Sequence, residues 1–255
     1  MKKNVIVLTH GWTGSSVFSA LFGRAGYWLG SETMRKPDYD THENADLVGL
    51  NRRLLETGLP GVDHEHRFAF EDVHALDRAT RELDLAPHAD FLARCHANAP
   101  WLWKDPRLTW TIRVWARLLD PATTAYLVLT RDDRQAWISA NTRRHIQSMA
   151  YTRAYNHGIT QSNLDFLHGA GLPCLKTSFE DLLLAPDQTL ARLNGAFDLA
   201  LTMSDLTQVC REPLHRKSRG VGDLVKAALI YAKNYHERDG RGRRDAATKR
   251  LMLQP

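Results

Sequence analysis

The chain has 255 residues, 43% of them hydrophobic and 25% charged, an ordinary composition for a globular protein with length enough to bury one sizeable core. No apolar run approaches the roughly 18 residues of a membrane span, and three widely spaced cysteines, Cys95, Cys174 and Cys210, argue against both a disulfide framework and a zinc site. The net charge of +5 is uneven: Arg211 to Arg250 carries 12 Lys/Arg against 5 Asp/Glu, so the rest of the chain sums to −2.

The first residues, MKKNVIVLTHGW, imitate a secretory signal. The apolar run is only about five residues long and no small-residue cleavage site follows, so it reads as the first strand of a cytoplasmic protein. Val5 to Leu8 have the character of a buried strand, Thr9 to Ser16 are polar and Gly-rich, and Val17, Leu21 and Phe22 open a helix at helical spacing. A strand passing through such a turn into a helix aims backbone N–H groups and the positive end of a helix dipole at one point, which suits an oxyanion. An ordinary tight turn is the competing reading.

Ser31 to His42 are mostly polar and give no element signal. Leu47, Leu50 and Leu54 then mark a helix ended by Gly58 and Pro60, and helical patterns run from Asp63 to Ala99. Trp101-Leu102-Trp103 reads as the end of a strand, Pro106 as a turn, and Ile112, Trp115 and Leu118 as a helix broken at Asp120-Pro121. Ala125 to Leu129 is a second buried strand with a polar turn at 130–133 and a helix from about Arg134. Pro173 to Lys176 is a third strand, followed by helices at Glu180-Asp181 and at Pro186; apolar positions 221, 224, 225, 228, 231, 232 and 235 form a helical stripe. Strands alternating with helices predict a single α/β domain over 1–255, with a central parallel sheet and helices on both faces. Ligands bind such sheets outside the C-terminal strand ends, where the turns 9–16, 104–107 and 130–133 are expected to meet.

The loop lacks the Lys of a G-x-x-x-x-G-K-[ST] phosphate loop, which disfavours a nucleoside triphosphate kinase. No G-x-S-x-G elbow is present, which removes an α/β-hydrolase. Arg131, at a strand end, offers fixed donors suited to a phosphate, and Ser139 follows eight residues later. Their alternatives are an ion pair with Asp132 or Asp133 and a surface helix position. No metal-ligand spacing appears among the histidines, and no nucleic-acid module or basic–aromatic interleaving is present. The basic segment 211–255 reads either as a solvated tail or as a partial cover for an anionic ligand.

Together these stretches resemble the 3′-phosphoadenosine 5′-phosphosulfate (PAPS)-dependent sulfotransferases, especially their bacterial branch. The carriers are Thr9 to Ser16, the W-x-K-D-P-R-L stretch at Trp101 to Leu108, Arg131 with Ser139, Glu43 followed by Leu50-Asn51, and Ser178-Phe179-Glu180-Asp181-Leu182. The resemblance implies a phosphate-loop-like sulfotransferase fold and transfer of the PAPS sulfonate to a hydroxyl of a small molecule or glycan, leaving 3′-phosphoadenosine 5′-phosphate, without a metal. It assigns Gly11, Trp12, Thr13, Gly14, Ser15 and Ser16 to the 5′-phosphosulfate and Arg131 and Ser139 to the 3′-phosphate. It further assigns Lys104 to the leaving oxygen and Glu43 to the acceptor proton. His42 and His10 stand next as bases, Lys104 has an ion pair with Asp105 as its alternative, and Glu43 has helix capping. Arg216 and Lys217 are similar to a basic element that clamps the 3′-phosphate. One departure stands out: the family carries Arg or Lys where this chain has Trp12. A non-catalytic protein binding 3′-phosphoadenosine nucleotides and a phosphotransferase of similar topology are the alternatives.

Overall fold

The apolar run after Lys3 forms strand β1, Asn4–Thr9, buried along its whole length. A computed structural model of the chain describes residues 2–36, 39–64, 67–210 and 220–240. In chain order β1 is followed by α1 Ser15–Arg24, β2 Thr33–Lys36, β3 Tyr39–Asn44, α2 Ala45–Gly58, α3 Phe70–Ala79, α4 Ala86–Ala97 and β4 Leu102–Lys104. Then come α5 Leu108–Trp115, β5 Thr124–Thr130, α6 Asp133–Thr142, α7 Met149–Gly169 and β6 Cys174–Ser178. The last described elements are α8 Phe179–Leu184, α9 Pro186–Phe197, α10 Met203–Val209 and α11 Val221–Lys233, followed by a short 3-10 segment, Tyr235–Gly240.

β1 lies between β4 and β5, with β6 beyond β5, and all of these neighbours are parallel. The period of two along a strand sorts the residues of β1 onto two faces. Val5 and Val7, with Leu127 and Leu129 of β5, join the core under α1, α8, α9 and α10. Ile6 and Leu8, with Tyr126 and Val128, join a second core that includes Leu47, Phe91, Trp103, Trp115 and Leu167. Helices therefore cover both faces, which is why these strands are continuously apolar rather than alternating. Indole rings densify the second core: Trp101 and Trp103 stack at 4.4 Å, and Trp115 meets Trp103 edge-on at 4.7 Å.

The order β4-β1-β5-β6 also locates the ligand crevice. From β1 the chain leaves toward β4, whereas from β5 it leaves toward β6. A crevice opens where neighbouring connections diverge in this way, here between the C-terminal ends of β1 and β5. Those ends carry the Gly-rich turn and Arg131.

The structure corrects the sequence reading in three places. Ser31 to His42 is not featureless, since β2 and β3 form an antiparallel hairpin. Polar side chains hold it: Asp40 accepts from Thr33 Oγ1 and from the His42 N–H, both at 2.6 Å, and Thr41 Oγ1 donates to Met34 O at 2.7 Å. A strand pair held this way gives no hydrophobic alternation to detect. Helix α5 ends at Trp115, short of Leu118. Helix α11 packs Leu224, Ala227 and Tyr231 against Trp137 and Ile138 of α6, while Val221 and Val225 of the expected stripe are exposed.

Asn51 is the polar hub beneath the second turn. It is fully buried; its Nδ2 donates to Asp105 Oδ2 at 2.9 Å, and its Oδ1 accepts from Thr111 Oγ1 and Trp115 Nε1, each at 2.8 Å. Asp105 Oδ1 accepts in turn from the Arg107 N–H at 3.1 Å and from Arg107 Nη1 at 3.0 Å. One amide thus fixes α2, the turn after β4, and α5 to one another. Asn51→Leu leaves buried partners on two elements unsatisfied, and we expect it to lower unfolding stability by about 2–4 kcal/mol. Chemical denaturation checks this, and a loss under about 0.5 kcal/mol, the size of a neutral surface change, would contradict the hub.

Candidate functional site

The turn after β1 is shaped from within. The Thr13 hydroxyl hydrogen-bonds that of Thr9, and Thr9 Oγ1 lies 2.9 Å from the His10 carbonyl. Trp12 and Gly14 both take left-handed backbone conformations, with φ of 68° and 71°. At Gly14 nothing but glycine fits, because a Cβ would come within 2.5 Å of the Phe179 ring. At Gly11 the space a Cβ would occupy has no heavy atom within 4 Å, so another molecule can approach the backbone closely.

Helix α1 starts from this turn with Gly14 as its N-cap, no capping side chain and no acidic residue in its first turn. By contrast, Asn44 caps α2, Asp132 caps α6 and Ser148 caps α7. Among the described residues, no protein acceptor faces the backbone N–H groups of Gly11 to Ser16. Unmatched amides with an uncapped helix dipole behind them form an anion cradle.

Arg131 reaches this turn directly. Its Nη1 donates to the Trp12 carbonyl at 2.7 Å, its guanidinium lies over the Phe179 ring at 5.1 Å, and its Nε is 3.6 Å from Glu180 Oε1. The acidic partner is therefore Glu180, not Asp132 or Asp133. Glu180 Oε2 also accepts from the Asp132 N–H at 2.9 Å, so the end of β5 and the start of α8 are locked together. Asp133 instead meets Arg153 and His157. Ser139, two turns along α6, is fully buried rather than on the surface, and its Oγ has no hydrogen-bond partner among the described residues. A buried hydroxyl left unmatched is costly unless a ligand completes it.

The second turn brings in Lys104, whose side chain is 2% exposed. Its Nζ donates to Glu43 Oε1 at 2.7 Å, so its acidic partner is Glu43 and not Asp105. Glu43 lies on β3 rather than at a helix start, and the capping role belongs to Asn44, whose Oδ1 accepts from the Asp46 and Leu47 N–H groups. Burial lowers the Lys104 ammonium below its usual value; the Glu43 carboxylate opposes that shift, while nearby Lys36 adds to it. The hairpin is tied to the first loop as well, through Ser16 Oγ donating to Thr41 O at 3.2 Å.

His42 sits beside this pair with φ of 56°, its Nδ1 3.6 Å from Asp40 Oδ1. Burial lowers its pKa, Asp40 opposes the shift, and the Lys104 charge reinforces it. His10 is more deeply enclosed, and its Nδ1–H donates to the Gly11 carbonyl at 2.8 Å. Burial holds this imidazole down to about 4, so it is uncharged at neutral pH and shapes the loop as a neutral donor.

The structure thus brings together His10, the 11–16 turn and Arg131 at one corner, and Glu43, Lys104 and His42 at the next, along one edge of the sheet. Arg216 and Lys217 lie outside the described residues. Sequence reasoning missed Phe179 and Glu180 as supports of Arg131; the SFEDL stretch marked their position without showing their partner. A cavity of about 380 Å³ lined by residues such as His74, Arg113 and Asp165 shares no residue with this site.

No family model matches the sequence, and no curated protein matches it. Solved structures do match. The chain is similar to the sulfotransferase domain from the curacin biosynthetic pathway, with 16% identity and a TM-score of 0.51 over 88% of this chain and 82% of that one. It is likewise similar to the sulfotransferase domain from the Synechococcus PCC 7002 olefin synthase, with 16% identity and a TM-score of 0.53 over 91% and 96%. The helix-flanked parallel sheet is therefore a sulfotransferase-type, phosphate-loop-like fold.

The His10 geometry gives a pH prediction. A folded-state pKa of about 4 lies below the ordinary 6.5, so the unfolded chain binds the proton more readily. The resulting stability is present above pH 6.5 and lost as pH falls toward 4, by about 2–3 kcal/mol at pH 4.5. We expect the Tm advantage of wild type over His10→Asn at pH 7.5 to shrink or reverse at pH 4.5. A pH-independent difference would contradict the burial of a neutral imidazole.

Proposed function

We propose that this protein transfers the sulfonate of PAPS to the hydroxyl of a small-molecule or glycan acceptor. The observation that carries the reading is the joining of an unmatched amide cradle, Gly11 to Ser16, to Arg131 through the Trp12 carbonyl at 2.7 Å. The cradle suits the 5′-phosphosulfate. The Arg131 guanidinium and the unmatched Ser139 hydroxyl, from one strand–helix unit, suit the 3′-phosphate.

In this reading the acceptor oxygen forms a bond to sulfur as the bond from sulfur to the bridging phosphate oxygen breaks. The products are a sulfate ester and 3′-phosphoadenosine 5′-phosphate. Lys104 donates one N–H hydrogen bond to the Glu43 carboxylate and has further ammonium N–H groups for the leaving oxygen, where negative charge builds. Glu43 uses its second carboxylate oxygen to take the acceptor proton. No metal is assigned to any step. A cytoplasmic setting suits three cysteines that remain thiols.

A second reading, nucleotide binding without turnover, is favoured by one observation: the side chains from Gly11 to Ser16 include no cation. Turnover of PAPS separates the two.

Ser139→Ala tests the 3′-phosphate assignment cleanly, because it deletes a hydroxyl without a partner among the described residues and should not lower Tm. We expect calorimetry to show binding of 3′-phosphoadenosine 5′-phosphate weakened about 10-fold or more, the value of a hydrogen bond to a charged group, with 5′-AMP unaffected. Equal losses for both nucleotides, or none, would contradict the assignment.

A further inference from the structure

We propose that the Trp12 indole is a platform that gathers Lys36 and Arg143 into a sulfonate-binding subsite at the mouth of the Gly-rich turn. This deepens the sulfonate-transfer reading and rests on it. The Lys36 ammonium lies 5.5 Å from the Trp12 ring centroid, and the Arg143 guanidinium 5.2 Å from it. The His145 ring meets the same indole edge-on at 4.9 Å. The two cations come from the end of β2 and the C-cap of α6, so the ring joins parts of the chain far apart in sequence.

Three observations favour an anionic ligand here over a solvated surface cluster. Neither Lys36 nor Arg143 has a carboxylate partner among the described residues. Two like charges are held within 5.5 Å of one ring centroid, an arrangement that an anion beside the ring relieves. Trp12 also keeps a left-handed backbone that a bulky residue rarely adopts, while its carbonyl is gripped by Arg131. The ring is thereby fixed beside the amide cradle, and Gly11 leaves open space next to it.

Physically, cation–π contacts narrow the wandering of two long, exposed side chains before ligand arrives. The indole supplies no charge of its own but positions two. This places cationic donors beside a loop whose own side chains carry none, at the end of the nucleotide where sulfonate distinguishes PAPS from its product. Lys36 also acts electrostatically on Lys104, which connects the platform to the Glu43–Lys104 pair.

The test is calorimetry on the full chain with PAPS and with 3′-phosphoadenosine 5′-phosphate, for wild type, Lys36→Ala/Arg143→Ala and Trp12→Leu. We expect the double variant to bind the bisphosphate within about twofold of wild type and to lose about tenfold or more in affinity for PAPS, and Trp12→Leu to lose at least as much for PAPS. The double variant alters exposed side chains only, so it remains informative if Trp12→Leu fails to fold. An unchanged ratio of PAPS to bisphosphate affinity in the double variant would overturn the subsite while leaving the sulfotransferase reading intact; it is also the result expected if the cations serve an acidic acceptor. A wild-type protein that binds neither nucleotide overturns the functional reading and the subsite together.

Discussion

The candidate site depends on a single charged hydrogen bond, from Arg131 Nη1 to the carbonyl of Trp12. It crosses from the end of β5 to the turn after β1, the two strands between which the sheet topology opens a crevice. The Arg131 side chain is 7% exposed, so the bond works in a medium where charge–dipole interactions are strong. Phe179 supports the guanidinium from one face and excludes any side chain at Gly14, so the same ring sets the position of the arginine and the curvature of the loop. Glu180 balances part of the charge while tying the end of β5 to α8.

A second layer of polar contacts positions the neighbouring corner. Asn51 holds Asp105, Asp105 holds Arg107, and the turn they build delivers Lys104 to Glu43. Buried polar groups in such a network are stable only while each has its partner. The arrangement therefore specifies geometry more than it adds stability, as befits a site in which a carboxylate and an ammonium stand 2.7 Å apart. The β2–β3 hairpin carries Glu43, His42 and Lys36 together. Its attachment to the loop through Ser16 makes it one wall of the candidate site.

Much of this was legible in the chain because each signal was local. Val5 to Leu8 and Ala125 to Leu129 read as strands covered on both faces, and two cores now account for that pattern. The three polar turns read as one edge because parallel strands all end there. The partners of the charged residues were not legible. Asp105 and Asp132 adjoin Lys104 and Arg131 in sequence, yet Glu43 and Glu180 won, because backbone direction at a strand end sends successive side chains apart. The hairpin was hidden because hydrogen bonds to Asp40, not buried apolar residues, hold its register. Trp12 read as a missing cation, and only the folded chain shows the cations collected around its ring.

The central claim is that one rim grips both phosphates of a single nucleotide. A crystal structure of the protein with 3′-phosphoadenosine 5′-phosphate tests it most directly. The account expects the 5′-phosphate on the amides of Gly11 to Ser16 and the 3′-phosphate within hydrogen-bond distance of Arg131 and Ser139. A nucleotide seated away from the first turn, or with its 3′-phosphate directed into solvent, would contradict it.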